Sequence, residues 1–240
     1  MNSASGSLTI KARIMTGFAV ILAFMTILTT VGVMRVNTIS EDLTLIGDVN
    51  SVKQRYAINF RGSVHDRAIS LRDVTLVDNA GELQAALNEI NKLADDYAKS
   101  AVRMDDMFRT RTDISQEERQ ILGSLKEIEA NTLPMINKVI ELRQAGQLDQ
   151  AKELMLKEAR PAFVEWLARI NKFIDLQEKM NQVLSAEARE LANGFQTLML
   201  LMTAAAVVIG SGIALFIVRA IFNSLGGVSF RRYRAISFSA

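Results

Sequence analysis

Two uncharged apolar runs near the ends of the chain decide most of what it can fold into. Ile14 to Met34 is 21 residues without a charge, and Leu191 to Val218 is 28. A helix of about 20 residues crosses the hydrocarbon of a bilayer, so each run is long enough to span. A secretory signal fits the first run less well. Its apolar core would be about 7–15 residues and would end in a small-x-small cleavage site. A buried helix of a soluble core fits neither run, because about 18 or more uncharged apolar residues in a row are rare there.

The flanking charges orient the two spans. Lys11 and Arg13 precede the first with no acid, and Arg219, Arg231, Arg232 and Arg234 follow the second, again with no acid. The positive-inside rule then puts both ends in the cytoplasm and residues 35–190 outside, in the periplasm of a bacterium with two membranes. All 26 acids and 22 of the 28 bases lie in that outer segment, so it carries a formal charge of −4. The overall +2 averages over two compartments. No basic stripe with interleaved aromatics points to nucleic acid.

The organisation expected is a cytoplasmic N-terminus at 1–13, a transmembrane helix at 14–34, an outer domain at 35–190, a second transmembrane helix at 191–218 and a cytoplasmic remnant at 219–240. The outer segment reads as helix throughout. Proline occurs twice, at Pro134 and Pro161, and aromatics make up 6% of the chain. Turn signals divide it at "VDNAGE" (77–82), "RTRTDIS" (109–115) and "RQAGQLD" (143–149). Ser115 and Glu118 form a capping-box pattern, Gly146 reads as a helix stop, and Asp149 as a cap for the next helix. Helices are expected at about 35–77, 82–110, 116–145 and 161–190, with a short extra one at 149–159. Pro161 suits the first turn of the fourth and Pro134 a kink inside the third.

Long helices joined by short turns lie antiparallel, so the fold class is all-α: an up-down-up-down four-helix bundle between two transmembrane helices. The first helix shows its seam at Val36, Ile39, Leu43, Ile46, Ala57, Phe60, Val64, Leu71 and Val74, spaced three and four apart. Asn50, Lys53 and Arg67 interrupt it. A second stripe of Leu45, Val49, Val52 and Tyr56 lies beside it and reads as a homodimer contact. No break separates Met34 from Arg35 or Arg189 from Leu191, so each outer helix runs on into its span.

No catalytic constellation is present. The chain has no cysteine and a single histidine, His65, which excludes disulfides and thiolate metal sites. No phosphate loop, nucleophile elbow or metal-spaced cluster occurs, so neither an enzyme nor a cofactor is expected. Asp95–Asp96, Asp105–Asp106 and Glu117–Glu118 read as solvated faces, and His65 and Asp66 as neighbours that point apart. The exception is "FRGSVHDRAISLRD" at 60–73. At 100° per residue Arg61, His65 and Arg72 fall within about 40° and form a polar stripe, while Arg67 points roughly 120° away onto the seam. A seam arginine needs an anion, either a nearby acid such as Asp66 or Asp73, or a bound carboxylate gripped by the guanidinium fork.

Four stretches carry a family resemblance: "SLTIKARIMTGFAVILAFMTIL", "FRGSVHDRAISLRDV", "KVIELRQAGQLDQAKELMLKEARPAFVEWLARINKFIDLQE" and "VRAIFNSLGG". Together, over residues 7 to about 227, the chain resembles the sensory half of a methyl-accepting chemotaxis receptor with a four-helix-bundle ligand-binding domain. The resemblance implies a homodimer in a bacterial inner membrane that takes small organic acids or amino acids in its outer domain. Arginines of the first helix would hold the ligand carboxylate, a role that maps onto Arg61, Arg67 and Arg72. His65 joins them by position, and Phe163 and Trp166 at the start of the fourth helix would close the pocket. After "LGG" the chain reads "VSFRRYRAISFSA", without the HAMP pattern that the family continues into. This suggests a truncated or out-of-frame end, with kinase and adaptor contacts expected only in a full-length receptor. Two other readings share the same bundle: the input half of a sensor kinase or cyclase, and a membrane tether that binds nothing.

Overall fold

The computed structural model describes residues 10–236, with side chains as far as Phe222 apart from a few positions. Of the expected remnant at 219–240, residues 219–236 continue α6, and 237–240 lie outside the described residues. Helix α1 spans Ile10–Thr44 and passes through a π-turn at Leu45–Asn50 into α2, Ser51–Leu76. Helix α3 is Ala80–Thr110, α4 is Gln116–Gln144, and α5 is Leu148–Leu154. A second π-turn, Met155–Ala159, joins α5 to α6, Arg160–Ile236. No strand occurs among the described residues. Residues 42–186 form one compact unit, and the N- and C-terminal segments form another.

The unit of residues 42–186 is an all-α, antiparallel four-helix bundle. Its arms are α2, α3, α4 and the α5–α6 helix, with α2 packed along α3 and also against α4. Local chemistry ends each arm as the sequence dictates. Asn79 caps α3 by accepting from the Glu82 amide at 2.8 Å. Ser115 and Glu118 close a reciprocal capping box on α4. Gly146 takes φ +76°, which a residue with a Cβ rarely adopts, and the Gln147 amide donates back to the Leu142 carbonyl. Two arginines of α4 finish neighbouring helices. Arg143 donates to the Val74 and Val77 carbonyls, and Arg119 to that of Phe108. These carbonyls belong to the last turns of α2 and α3 and its connection, where no intrahelical donor is left.

Several expectations need correction. The fourth arm starts at Leu148 rather than 161, because α5 runs through the π-turn into α6. Pro161 has no N–H for the Lys157 carbonyl, and the widened turn at 155–159 absorbs that loss. The cap of α5 is Gln147 without a side-chain bond, so Asp149 sits in the first turn instead. The seam holds from Ala57 to Val74, but Val36 and Leu43 are exposed. Of the second stripe, only Val49 is buried within the protomer, while Leu45, Val52 and Tyr56 remain partly exposed and available to a partner helix. The π-turn at 45–50 explains both outcomes. It inserts about one residue into the helical phase, roughly 100° of rotation, so stripes extrapolated across it change sides.

In the other unit, α1 and α6 approach closely at Gly17. A Cβ built there would meet Ile213 Cγ2 at 2.8 Å. The most apolar stretches of the two helices are 6% and 0% buried, unlike the core helix of a soluble protein, which is mostly buried. Four of their hydroxyls are satisfied within the helix: Thr26, Thr30, Thr197 and Thr203 each donate to the carbonyl four residues back. That is what a helix in hydrocarbon requires.

Candidate functional site

The six residues singled out in the sequence separate into two groups. Arg61, His65 and Arg72 stand exposed on the outer face of α2. His65 Nδ1 lies 2.9 Å from Asp66 Oδ1, so these neighbours meet rather than point apart, since both side chains bend over the exposed surface. Arg72 pairs with Asp73 at 3.4 Å. Arg61 has no ion-pair partner among the described residues. Ile58, Ile69 and Leu76 are exposed on the same face. At 100° per residue all six fall within about 80°, so basic and apolar side chains share one stripe.

Arg67, Phe163 and Trp166 lie inside the bundle instead, each no more than 2% exposed. Phe60, Tyr97, Trp166 and Phe163 form a continuous aromatic series, with successive ring centroids 4.5, 5.5 and 6.2 Å apart. The Arg67 guanidinium sits 5.7 Å from the Tyr97 ring centroid and 5.6 Å from that of Trp166. It donates a long bond to the Leu93 carbonyl at 3.5 Å, and its Nε is buried without a partner. Burial lowers the arginine from its ordinary value, opposed by the field of Tyr97 and Glu129. Tyr97 donates to Glu129 Oε2 at 2.9 Å. Burial raises Glu129 from its ordinary value, opposed by that bond and by Arg67. The anion nearest in effect to Arg67 is therefore Glu129, and neither Asp66 nor Asp73 serves.

A second buried polar cluster contains none of the six site residues expected from the sequence. Glu118 is 0% exposed and Lys53 1%. Lys53 Nζ and Gln177 Nε2 both donate to Glu118 Oε1, while the Ser115 amide and hydroxyl donate to Oε2. Burial pushes the Glu118 carboxyl up, yet the bonds from Lys53, Gln177 and Ser115 outweigh it and leave the group below its ordinary value. The expectation of a solvated face at Glu117–Glu118 is thus wrong for Glu118. A signal existed: Lys53 interrupts the seam, a capping-box glutamate is held at a fixed place, and a buried lysine needs such a partner.

Among the described residues no group of three His, Asp or Glu stands ready to hold a metal ion. A family model for a four helix bundle sensory module for signal transduction matches residues 7–192. The chain belongs to that family. The sensory module is that of methyl-accepting chemotaxis receptors, a signalling rather than a catalytic domain. No curated protein and no solved structure matches the chain. Two helices long and apolar enough to cross a membrane, in a receptor sensory family, point to a membrane protein. The matched residues take in the first apolar run, the whole bundle and the arginine face of α2.

Proposed function

We propose that this sensory module binds small organic acids or amino acids through their carboxylates, at the outer face of α2 and between two copies of the chain. The carrying observation is the stripe of Ile58, Arg61, His65, Ile69, Arg72 and Leu76. The bundle's core is complete without it, so three large apolar side chains and three basic ones are left to face outward. Apolar residues at this spacing suit a helix-to-helix contact. A symmetric contact would bring Arg61 and Arg72 of both copies together, and like charges repel unless an anion lies between them. A carboxylate meets the guanidinium fork bidentately and offsets that repulsion. Binding and pairing would then be linked.

Gly62 fits the same reading. A Cβ there would meet nothing within 4 Å, so internal packing does not require glycine. It costs the helix about 1 kcal/mol relative to alanine. A groove of about 840 Å³ runs beside it between α2 and α3, lined by Ile58, Gly62, Asp66, Lys99 and Arg103 among others. In this reading Arg67, Phe163 and Trp166 support α2 from beneath. The bundle faces the periplasm of a bacterial inner membrane, and α6 carries the response into its apolar segment.

The test is a thermal-unfolding screen of the full chain in lipid nanodiscs against organic acids and amino acids. A ligand at 100 times its dissociation constant stabilises by about 2.7 kcal/mol. At least one carboxylate should raise the melting temperature in a concentration-dependent way, while its amide should not. A flat response to every carboxylate contradicts the proposal.

A further inference from the structure

A second cavity lies at the other end of α2, and the arginine face plays no part in it. It measures about 400 Å³ and opens where the α3–α4 connection meets the start of α2 and the middle of α6. Its walls are mainly apolar: Leu45 and Val49 from the π-turn, and Met180, Val183 and Leu184 from α6. Asn50 also lines it. That residue is 3% exposed, and its Nδ2 has no hydrogen-bond partner in the chain. Two amide oxygens of α6 outside the cavity lining, Gln177 Oε1 and Asn181 Oδ1, are likewise buried and unpaired. Buried unpaired polar atoms are few in native proteins, and one that lines a cavity calls for an occupant.

The π-turn is what builds this wall. Residues 45, 49 and 50 are four and five apart, which is the repeat of a π-helix, so their side chains share one side. Such turns are frequent at functional sites. The charges around the cavity cancel. Lys53 is matched by Glu118, and Asp113 by Arg111 at 2.6 and 2.9 Å. Lys179 and Glu117, the remaining charged lining residues, are of opposite sign. Both are exposed at its mouth, so the buried wall itself offers a charged ligand head no unmatched countercharge. An amide N–H that lacks an acceptor would find one in a carbonyl oxygen.

We propose that this cavity binds a small, neutral, mostly apolar molecule through a carbonyl oxygen that accepts from Asn50 Nδ2, with its apolar body against Leu45, Val49, Met180 and Val183. The volume lies in the range of small-ligand pockets, about 300–1,000 Å³, and a mainly apolar wall with one placed polar group is their usual chemistry.

The experiment monitors the methyl resonance of Met180 in the full chain, carbon-13-labelled at methionine and held in lipid nanodiscs, with Met180→Leu for assignment. Hexanamide and heptan-2-one are the probes. Met25, in the first apolar run, reports plain partition into the bilayer. Saturable shifts at Met180, with only linear drift at Met25, are expected. Asn50→Leu, close in size but without the donor, should weaken hexanamide binding at least tenfold, and Val183→Trp should abolish it by filling the space. If Val183→Trp does not fold, Asn50→Leu still decides. Three results would overturn the proposal: no saturable shift with either probe, which leaves the cavity to water; equal saturation in Asn50→Leu; or hexanoate binding more tightly than hexanamide.

Discussion

Replacing Glu118 with alanine should be among the most damaging single changes in the bundle. Glu118 accepts four hydrogen bonds while wholly buried, and its partner Lys53 is 1% exposed. The substitution leaves an ammonium group in the core with no counterion. Breaking a buried pair in this way costs about 3–5 kcal/mol. Loss of the capping box on α4 adds about 1 kcal/mol. Against a typical stability of about 5–15 kcal/mol, that is a large share. The double change Lys53→Met with Glu118→Leu removes both charges and should recover most of the loss, apart from the cap.

The readout is urea unfolding of the full chain in nanodiscs, monitored by the fluorescence of Trp166, the chain's one tryptophan, which is fully buried. The pH dependence has a fixed sign. Glu118 is held below its ordinary value of 4.5, so its contribution is fully present above about that pH. It is lost as pH falls through the lower value of the folded state. A Glu118→Ala loss under about 1 kcal/mol, or a double variant no more stable than the single one, refutes the buried-pair reasoning.

Two further changes probe other levels of the structure. Arg67→Met should keep or raise stability, because it replaces a buried cation with an apolar chain of similar length, and should leave ligand affinity unchanged. Arg67→Ala should instead lower stability by about 2 kcal/mol through the space it opens between Tyr97 and Trp166. A tenfold loss of affinity in Arg67→Met would show direct ligand contact. Gly17→Leu should force α1 away from Ile213, since even a Cβ would sit at 2.8 Å. Spin labels on α1 and α6 should then report a longer separation, and an unchanged distance would contradict the close approach.

Much of the bundle was legible because its signals are local. Ser115 with Glu118, Gly146, and the seam from Ala57 to Val74 are short patterns whose physics does not depend on distant residues. The features that were not legible depend on phase or on partners far away in sequence. The π-turn at Leu45–Asn50 leaves no composition signature, yet it rotates every stripe read across it. Lys53 and Glu118 are 65 positions apart, so their pairing arises only from the packing of α2 on α4. The arginine-rich stretch shows both cases. Helical angles correctly sent Arg67 inward and left Arg61, His65 and Arg72 outward, but could not name Tyr97, Trp166 and Glu129 as the groups Arg67 would meet.

The measurement closest to the central claim is calorimetric titration of the best carboxylate into the full chain in nanodiscs, compared with Arg61→Ala and Arg72→Ala. Both residues are exposed, so neither change should disturb folding, and Trp166 fluorescence verifies that. Removing a bidentate, charge-assisted grip on the ligand should weaken binding at least tenfold, in line with about 1.5–3 kcal/mol per hydrogen bond to a charged group. The account predicts such a loss in both variants, with unfolding unchanged. Affinity equal to that of the unaltered chain in both would contradict the assignment of the α2 face as the place where this sensory module meets its ligand.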